Sequence, residues 1–237
     1  MSWGYFEYVP VAKKKEDAQK ILNKLRKNNP NIQPVVITGN KIAKTWWGMA
    51  WNKNLESYAD YSNRIGRGSA YVKNGFVLDL HIESEHVNAI VAGSSKEPYN
   101  VEIRINALSK STWKTITELC GRSIANIDQL AQGKFPKELE MLFTQKKEGL
   151  FPSPEEIKFS CDCPDWADMC KHVAAVLYGI GARLDDDPTL FFKLRNIEIE
   201  ALIKKSIEEK MESMLKNSGK KTHRIIKDAD LNKLFGV

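Results

Sequence analysis

The chain has 237 residues, of which 42% are hydrophobic and 28% are charged, and it carries a formal net charge of +6. This balance is typical of a globular protein. It argues against a membrane protein, because no hydrophobic run approaches the ~18 residues that a span needs. Residues 1–75 hold 13 Lys and Arg against 5 Asp and Glu, a net charge of +8, whereas the remainder has a net charge of −2. An anionic partner such as nucleic acid would therefore meet the first third of the chain. We expect a cytoplasmic protein, because the first residues lack the hydrophobic core of a signal peptide.

The first region, residues 1–67, predicts a mixture of helices and short strands. Residues 5–11 alternate as a short strand does, and residues 34–38 are typical of a buried strand. Residues 15–27 repeat hydrophobic side chains at helical spacing. Thr45 is a candidate N-cap and predicts that a second helix begins there.

This second helix carries an aromatic stripe with cations nearby. Trp47, Trp51, Leu55 and Tyr58 follow one another at four- and three-residue steps, a spacing that favours a buried face. Tryptophans can also stack on bases while cations neutralise phosphates. Both interpretations hold together if the aromatic side chains face inward and the cations face outward. The candidates for nucleic-acid binding in this region are Lys44, Lys53, Arg64 and Arg67.

The second region, residues 68–148, predicts an antiparallel meander followed by helices. Asn74-Gly75 predicts a two-residue hairpin. Asp79, His81 and Glu83 share one strand face, which we interpret as exposed to solvent rather than as a metal site. Residues 109–148 are predicted to be helical. The four predicted strands, which would leave one face of the sheet buried, are residues 69–72, 76–82, 86–93 and 99–106.

Three cysteines and one histidine fall within twelve residues of the third region, residues 149–195. Cys161 and Cys163 are separated by one residue, and so are Cys170 and His172. Two thiolates at this spacing can point at one ion, and the second pair can close a tetrahedron from the other side. Soft thiolates with one imidazole are the ligands that a structural Zn²⁺ prefers. The spacing therefore predicts one structural zinc ion.

Three other residues of this segment have expected roles. Pro164 and Trp166 lie between the two ligand pairs, where a stiff turn and a flat apolar lid would shield the ion. Lys171 lies between two ligands and would offset part of the negative charge of three thiolates around one Zn²⁺. Lys171 is therefore the segment's own candidate for contact with nucleic acid.

Other chemistries fit this cluster less well. Disulfide pairing would leave an odd thiol, and nothing in the chain indicates an oxidising compartment. A catalytic cysteine is usually a single activated thiol with a distant base. A catalytic zinc site keeps one coordination position open, whereas four protein ligands close it.

The pattern Cys-x-Cys, six residues, then Cys-x-His, followed by a hydrophobic helix, resembles the SWIM zinc finger. The resemblance extends to TWWGMAWNKNLESYADYSNRIGRG, GLFPSPEEIKFSCDCPDWADMCKHVAAVLYGIGARLDDDP and LFFKLR, which are similar to prokaryotic SWIM proteins often encoded beside a Swi/Snf-type helicase. These blocks cover most of the chain. The resemblance implies Zn²⁺ binding and interaction with DNA or protein, with no catalysis of the protein's own.

The remaining residues predict helices and a docking tail. The helix after Cys170 is hydrophobic nearly all round and should be buried, with Gly179 and Gly181 as its stop. Residues 196–216 predict an amphipathic helix, and residues 217–237 a flexible linker and tail. In this tail Leu231, Leu234 and Phe235 have the spacing of a short helix laid in a groove. They would dock either on the chain itself or on the ATPase that the resemblance implies.

Together these observations predict an α+β fold, with an antiparallel meander packed against helices and a small Cys3His SWIM-type zinc finger. We expect a non-enzymatic Zn²⁺ protein that binds nucleic acid, with DNA favoured, or protein partners. The resemblance implies that it acts as an accessory factor to a Swi/Snf-type DNA-dependent ATPase. We expect neither a membrane nor a small-molecule substrate as a partner. The alternative is a protein–protein adaptor without direct DNA contact.

Overall fold

The computed structural model describes residues 9–57, 62–120, 143 and 149–218. The helices in this part of the chain are α1 (Val11–Asn28), α2 (Trp46–Glu56), α3 (Ser62–Lys73), α4 (Lys110–Cys120), α5 (Lys171–Asp186), α6 (Thr189–Leu194) and α7 (Ile199–Ser218). The strands are β1 (Val77–Glu83), β2 (His86–Val91), β3 (Tyr99–Ile105) and β4 (Ile157–Cys161). A short 3₁₀ turn, Pro154–Glu156, leads into β4. None of the described helices is long and apolar enough to cross a membrane.

The four strands form one antiparallel sheet in the order β1-β2-β3-β4. Val87 pairs with Ile82 on one side and with Ile103 on the other, so these three buried side chains lie in one row across the sheet. Their immediate neighbours along each strand are polar and point to the opposite face, because successive side chains alternate. The fold class predicted from the sequence, helices packed on an antiparallel sheet, is confirmed.

Helix α5 forms the centre of the core. It contacts α2, α3 and all four strands, and the side chains from Val173 to Ile180 are buried. A helix that is hydrophobic all round is stable only where other elements cover each of its faces. The predicted buried helix is confirmed, and it connects the sheet to the helical layer made of α2 and α3.

Helix α2 packs along α5 through its tryptophans. The indole N–H of Trp47 donates to the carbonyl of Leu184 (2.7 Å), and that of Trp51 donates to the carbonyl of Leu177 (2.9 Å). Trp51 is 3% exposed. The predicted cap is confirmed, because the Thr45 hydroxyl accepts a hydrogen bond from the backbone of Gly48. The part of the aromatic stripe on α2 therefore packs in the core, and Tyr58 lies outside the described residues.

Helix α1 packs where β1 begins and β2 ends, and forms a smaller cluster there. Ala18 and Leu22 contact Phe76, Leu78 and Ala92. The predicted helix at residues 15–27 is confirmed, although it begins earlier, at Val11. Residues 5–8 of the predicted first strand lie outside the described residues.

One predicted strand is wrong. Residues 69–72 belong to α3, whose Ile65, Gly68 and Val72 recur at helical spacing and face the core. Asn74-Gly75 is the end of this helix rather than a hairpin: the backbone N–H of Gly75 donates to Val72, and Gly75 has φ +74°. The fourth strand is instead β4, which comes from residues 157–161.

The predicted strand at residues 34–38 is an extended segment and not a full strand. It bonds to β1 where Val35 N–H donates to the carbonyl of Val77 and Leu80 N–H donates to that of Gln33. This segment covers Asp79, whose carboxylate accepts from the backbone of Gln33 at 2.7 Å. Asp79 is therefore buried, and its predicted exposure is wrong.

The predicted end of α5 at Gly179 and Gly181 is also wrong, because the helix continues to Asp186. The two glycines are packing positions. A Cβ atom on Gly179 would lie 2.9 Å from the side chain of Leu80, and one on Gly181 would meet Asn52 of α2. The absent side chains let α5 approach both layers closely, which a helix with larger residues at these positions could not do.

Candidate metal centre

The four predicted ligands lie where β4 meets α5. Cys161 is the last residue of β4, Cys163 follows in the loop, and Cys170 is the N-cap of α5. His172 follows within the first turn of this helix. The loop is tied to the sheet because the Asp162 carboxylate accepts from the backbone and side-chain amides of Asn100, at 2.9 and 2.8 Å. The end of β4 with the loop after it, and the start of α5, thus bring two ligands each to one point.

The donor atoms of these four residues converge. They all lie within 4.8 Å of one another. His172 Nδ1 is 3.9 Å from the sulfur of Cys161 and 3.8 Å from that of Cys170. In a tetrahedral zinc site, with bonds of about 2.3 Å to sulfur and about 2.0 Å to nitrogen, neighbouring donors are about 3.5–3.8 Å apart. The arrangement fits one tetrahedral metal ion bound by three sulfurs and one imidazole nitrogen.

The electrostatics of the thiols agree with a cation site. Cys161 and His172 hydrogen-bond to the sulfur of Cys170, which lowers the pKa of Cys170 to about 4 despite its burial. The pKa of Cys161 is raised, first by its hydrogen bond to Cys170 and then by burial. Burial also raises the pKa of Cys163. Three thiols this close cannot all ionise unless a cation lies between them.

Packing rather than a second hydrogen bond orients the histidine ring. The ring lies between Tyr71 and Tyr99, with centroid distances of 5.5 and 4.6 Å. Nε2 of His172 is buried without a hydrogen-bond partner in the described part of the chain. Gly93 lies behind it, and a Cβ atom there would approach Nε2 to 3.1 Å. These groups lie far apart in the sequence, so no local pattern identifies them as the supporting shell of the site.

Trp166 does not shield the cluster, and the lid predicted from the sequence is wrong. Its side chain is 91% exposed. Beside the cluster, Met169 is buried and the rings of Tyr71 and Tyr99 pack against His172. The loop turns at Asp165, whose carboxylate accepts from the backbone of Ala167, and this turn directs the next side chain outward.

The five cations predicted to bind nucleic acid fall into different environments. Arg64 forms an ion pair with Asp165 of the finger loop at 3.1 Å, and both side chains are less than one fifth exposed. Arg67 is exposed one turn further along α3. Lys171 lies over the ring of Tyr71, 5.5 Å from its centroid, and burial followed by the charge of Arg67 lowers its pKa.

The other two predicted cations belong to α2 and to the residues just before it. The backbone of Lys44 donates to Asp185, near the C-terminal end of α5, which is about 20 Å from Lys171 at 1.5 Å per helical residue. Lys53 is exposed on α2. Leu231, Leu234 and Phe235 lie outside the described residues. The structure therefore brings Arg64, Arg67 and Lys171 together beside the metal cluster and leaves Lys44 at a distance.

A Cys3His cluster that joins a strand to the start of a helix defines a zinc-finger type of metal centre. Residues 157–179 match the family model described as SWIM zinc finger. The chain therefore contains a SWIM zinc finger, as its sequence predicts.

Comparison with curated proteins gives a relative whose own role is not described. The chain is 34% identical over 167 residues to uncharacterized protein Rv2102 of Mycobacterium tuberculosis. The match covers 70% of this chain and 60% of that protein, so this chain spans about three fifths of the length of its relative. No solved structure gives a significant match to this chain.

Proposed function

We propose that this protein is a non-enzymatic zinc protein that binds nucleic acid, DNA in particular, as an accessory factor to a Swi/Snf-type DNA-dependent ATPase. The observation that carries the proposal is that Arg67 and Lys171 lie on one surface, beside a Cys3His metal cluster. The excess of positive charge in the first third of the chain agrees with an anionic partner. The association with an ATPase rests on the resemblance to prokaryotic SWIM proteins.

The metal in this proposal is Zn²⁺, and its role is structural. Three thiolates and one imidazole suit zinc better than harder cations. Four protein ligands complete the coordination, so the ion holds β4 to α5 and leaves no position for a substrate. Free thiolates persist in a reducing compartment, and a cytoplasmic location is therefore part of the proposal.

The surface that meets phosphate is centred on α3 and the start of α5. Helix α3 carries Arg64, Arg67 and Lys73 and no carboxylate. Arg64 is held by Asp165 and acts within the protein. Arg67 and Lys171 remain as the cations that can contact a phosphate directly, and Lys44 would extend the contact only along a longer ligand.

The test is the salt dependence of DNA binding by the full-length, zinc-loaded protein. Fluorescence anisotropy with a labelled duplex at about 50–200 mM salt should show affinity falling steeply, because each neutralised phosphate adds ~0.9 to the slope of log K against log salt. Combining Arg67→Gln with Lys171→Gln should lower the affinity and reduce the slope by about 2. Lys73→Gln on α3 removes one positive charge and is the control for each of the two single variants. Binding that does not depend on salt, or that the double variant leaves unchanged, would refute a phosphate contact at this surface.

The second candidate is a protein–protein adaptor without direct DNA contact. The observation in its favour is a row of exposed hydrophobic side chains on α7: Ile207, Met211 and Met214 are 48%, 57% and 63% exposed. Residues four and three apart lie on one face of a helix, and such a face is typical of docking to another protein.

A pull-down of the intact protein, with and without nuclease, separates the two candidates. Retention of an ATPase after nuclease treatment supports the adaptor, and its loss supports a DNA tether.

Deletion of residues 226–237 then tests the tail with Leu231, Leu234 and Phe235. We expect the deletion to abolish retention of the ATPase without changing the melting temperature. A large fall in melting temperature with the partner still bound would contradict this role of the tail.

A further inference from the structure

Trp166 is the most exposed large hydrophobic side chain in the described part of the chain, at 91%. It lies in the metal finger, three residues after Cys163 and four before Cys170. Burying an indole ring that is exposed to water lowers the free energy, so exposed tryptophans are enriched in binding sites. Trp47 and Trp51 of α2 pack in the core, whereas Trp166 does not.

The backbone that carries Trp166 is held on both sides. The preceding residue, Asp165, accepts hydrogen bonds from Ala167 N–H at 3.3 Å and from the Arg64 guanidinium at 3.1 Å. After Trp166 the chain returns into the core through Met169, which is 0% exposed. The indole ring therefore projects from a fixed loop, and binding to it costs little conformational entropy.

Cations lie on the α3 side of this loop. Arg64, Arg67 and Tyr71 are spaced three and four residues apart and share one face of α3. Arg64 holds the finger loop through Asp165, and Lys171 lies over the ring of Tyr71. The ion pair places the loop of Trp166 at one end of this face, and Lys171 lies at the other end.

The remaining charges of the loop limit what can bind. Asp162 is bonded to Asn100, and Asp168 is exposed. Both carboxylates would repel phosphates brought against the finger loop itself, as the second strand of a duplex laid across that loop would be, whereas a duplex that meets only Arg67 and Lys171 does not cross the loop. One strand with its phosphates toward Arg67 and Lys171 avoids these carboxylates. A base of such a strand has a free face for the indole ring, whereas in a duplex the faces are already stacked.

We infer that Trp166, Arg67 and Lys171 form a binding site for unpaired nucleic acid, in which a base stacks on Trp166 and the adjoining phosphates contact the two cations. This inference rests on the proposed function and assigns a ligand class to the same surface. Stacking of a base on an aromatic ring is tolerant of sequence, so we expect little preference among single strands of different composition.

The experiment compares a labelled thymidine oligonucleotide with a blunt-ended duplex of two fully paired strands that has the same total number of nucleotides, using the full-length zinc-loaded protein. Trp166→Ala should weaken binding of the oligonucleotide about tenfold or more, the loss typical of one stacked base, and change binding of the duplex less than about twofold. Trp166→Phe should keep most of the affinity. Met49→Ala, which removes an exposed side chain from α2, is the matched control.

Zinc content and melting temperature should be the same in all variants, because Trp166 has little contact with the core. Oligonucleotide binding within twofold of wild type in Trp166→Ala, or an equal loss for oligonucleotide and duplex, would overturn the inference while leaving the proposed function standing. A wild-type protein that binds neither probe would instead refute the proposed function, and the inference with it.

Discussion

Arg195 shows what a single charged residue does inside this fold. Its side chain is 1% exposed, and its guanidinium donates to the carbonyl of Asn106 at 2.7 Å and to the Glu156 carboxylate at 2.8 Å. It thereby joins the residue that follows α6 to the end of β3 and to the turn before β4. Lys193, two residues earlier, forms an ion pair with Glu83 in which both side chains are about half exposed.

We expect Arg195→Met to lower the free energy of unfolding by about 2–3 kcal/mol, because two acceptors lose a buried charged donor. Lys193→Met should cost less than about 1 kcal/mol, since water screens an exposed pair. Urea denaturation of both variants measures the difference. A similar, small effect of the two substitutions would contradict the structural role of Arg195.

At the scale of elements, the contact between α3 and α5 depends on one small residue. A Cβ atom on Gly68 would lie 2.8 Å from backbone atoms of Ala174 and Ala175. Among the described residues, none outside the local backbone of α3 places an atom within 4 Å of a Cβ on Gly66. The two glycines of α3 therefore differ: Gly68 allows α3 to pack closely against α5, whereas Gly66 has no such contact among the described residues.

We expect Gly68→Ala to destabilise the protein by about 1–3 kcal/mol, because the two helices must move apart. Gly66→Ala should stabilise it by about 0.5–1 kcal/mol, because alanine restricts the unfolded chain and favours a helix. Thermal melting of the two variants checks the signs. Stabilisation by Gly68→Ala would show that α3 does not pack against α5 this closely.

At the scale of the whole molecule, the metal cluster connects the edge of the sheet to the central helix. Cys161 ends β4, and Cys170 and His172 begin α5. The ion therefore closes the core at the point where two layers meet. Loss of the metal would affect the packing of α5 against both layers, and not the finger loop alone.

We expect one zinc ion per chain in freshly purified protein, and its loss when Cys163→Ala is combined with Cys170→Ala. The melting temperature should then fall by about 10 °C or more, because each 1 kcal/mol lost lowers it by about 2–4 °C in a protein of this size and structural zinc contributes several times that amount. Elemental analysis and calorimetry measure both quantities. Absence of zinc in the wild type, or full retention in the double variant, would contradict the assignment.

The sequence by itself determined the features that depend on local spacing. Cys161, Cys163, Cys170 and His172 are close in the chain, so ligand type and spacing were enough to predict a metal finger. The same holds for α1, β1, β2 and β3, whose hydrophobic periodicity follows from local geometry. It also holds for the Thr45 cap of α2, which is recognised from its residue type. The segment 69–72 was mistaken for a strand because Asn74-Gly75 can end a helix as well as form a hairpin.

Only the tertiary structure decided which side chains meet across long separations. The burial of Asp79 depends on Gln33, the role of Arg64 depends on Asp165, and the place of Gly179 within α5 depends on Leu80. The exposure of Trp166 was likewise hidden, because an apolar residue between two ligand pairs can cover the ion or turn outward. Local patterns reveal the hydrophobic periodicity of each segment. Burial and charge pairing depend instead on which residues of other elements lie next to that segment in the fold.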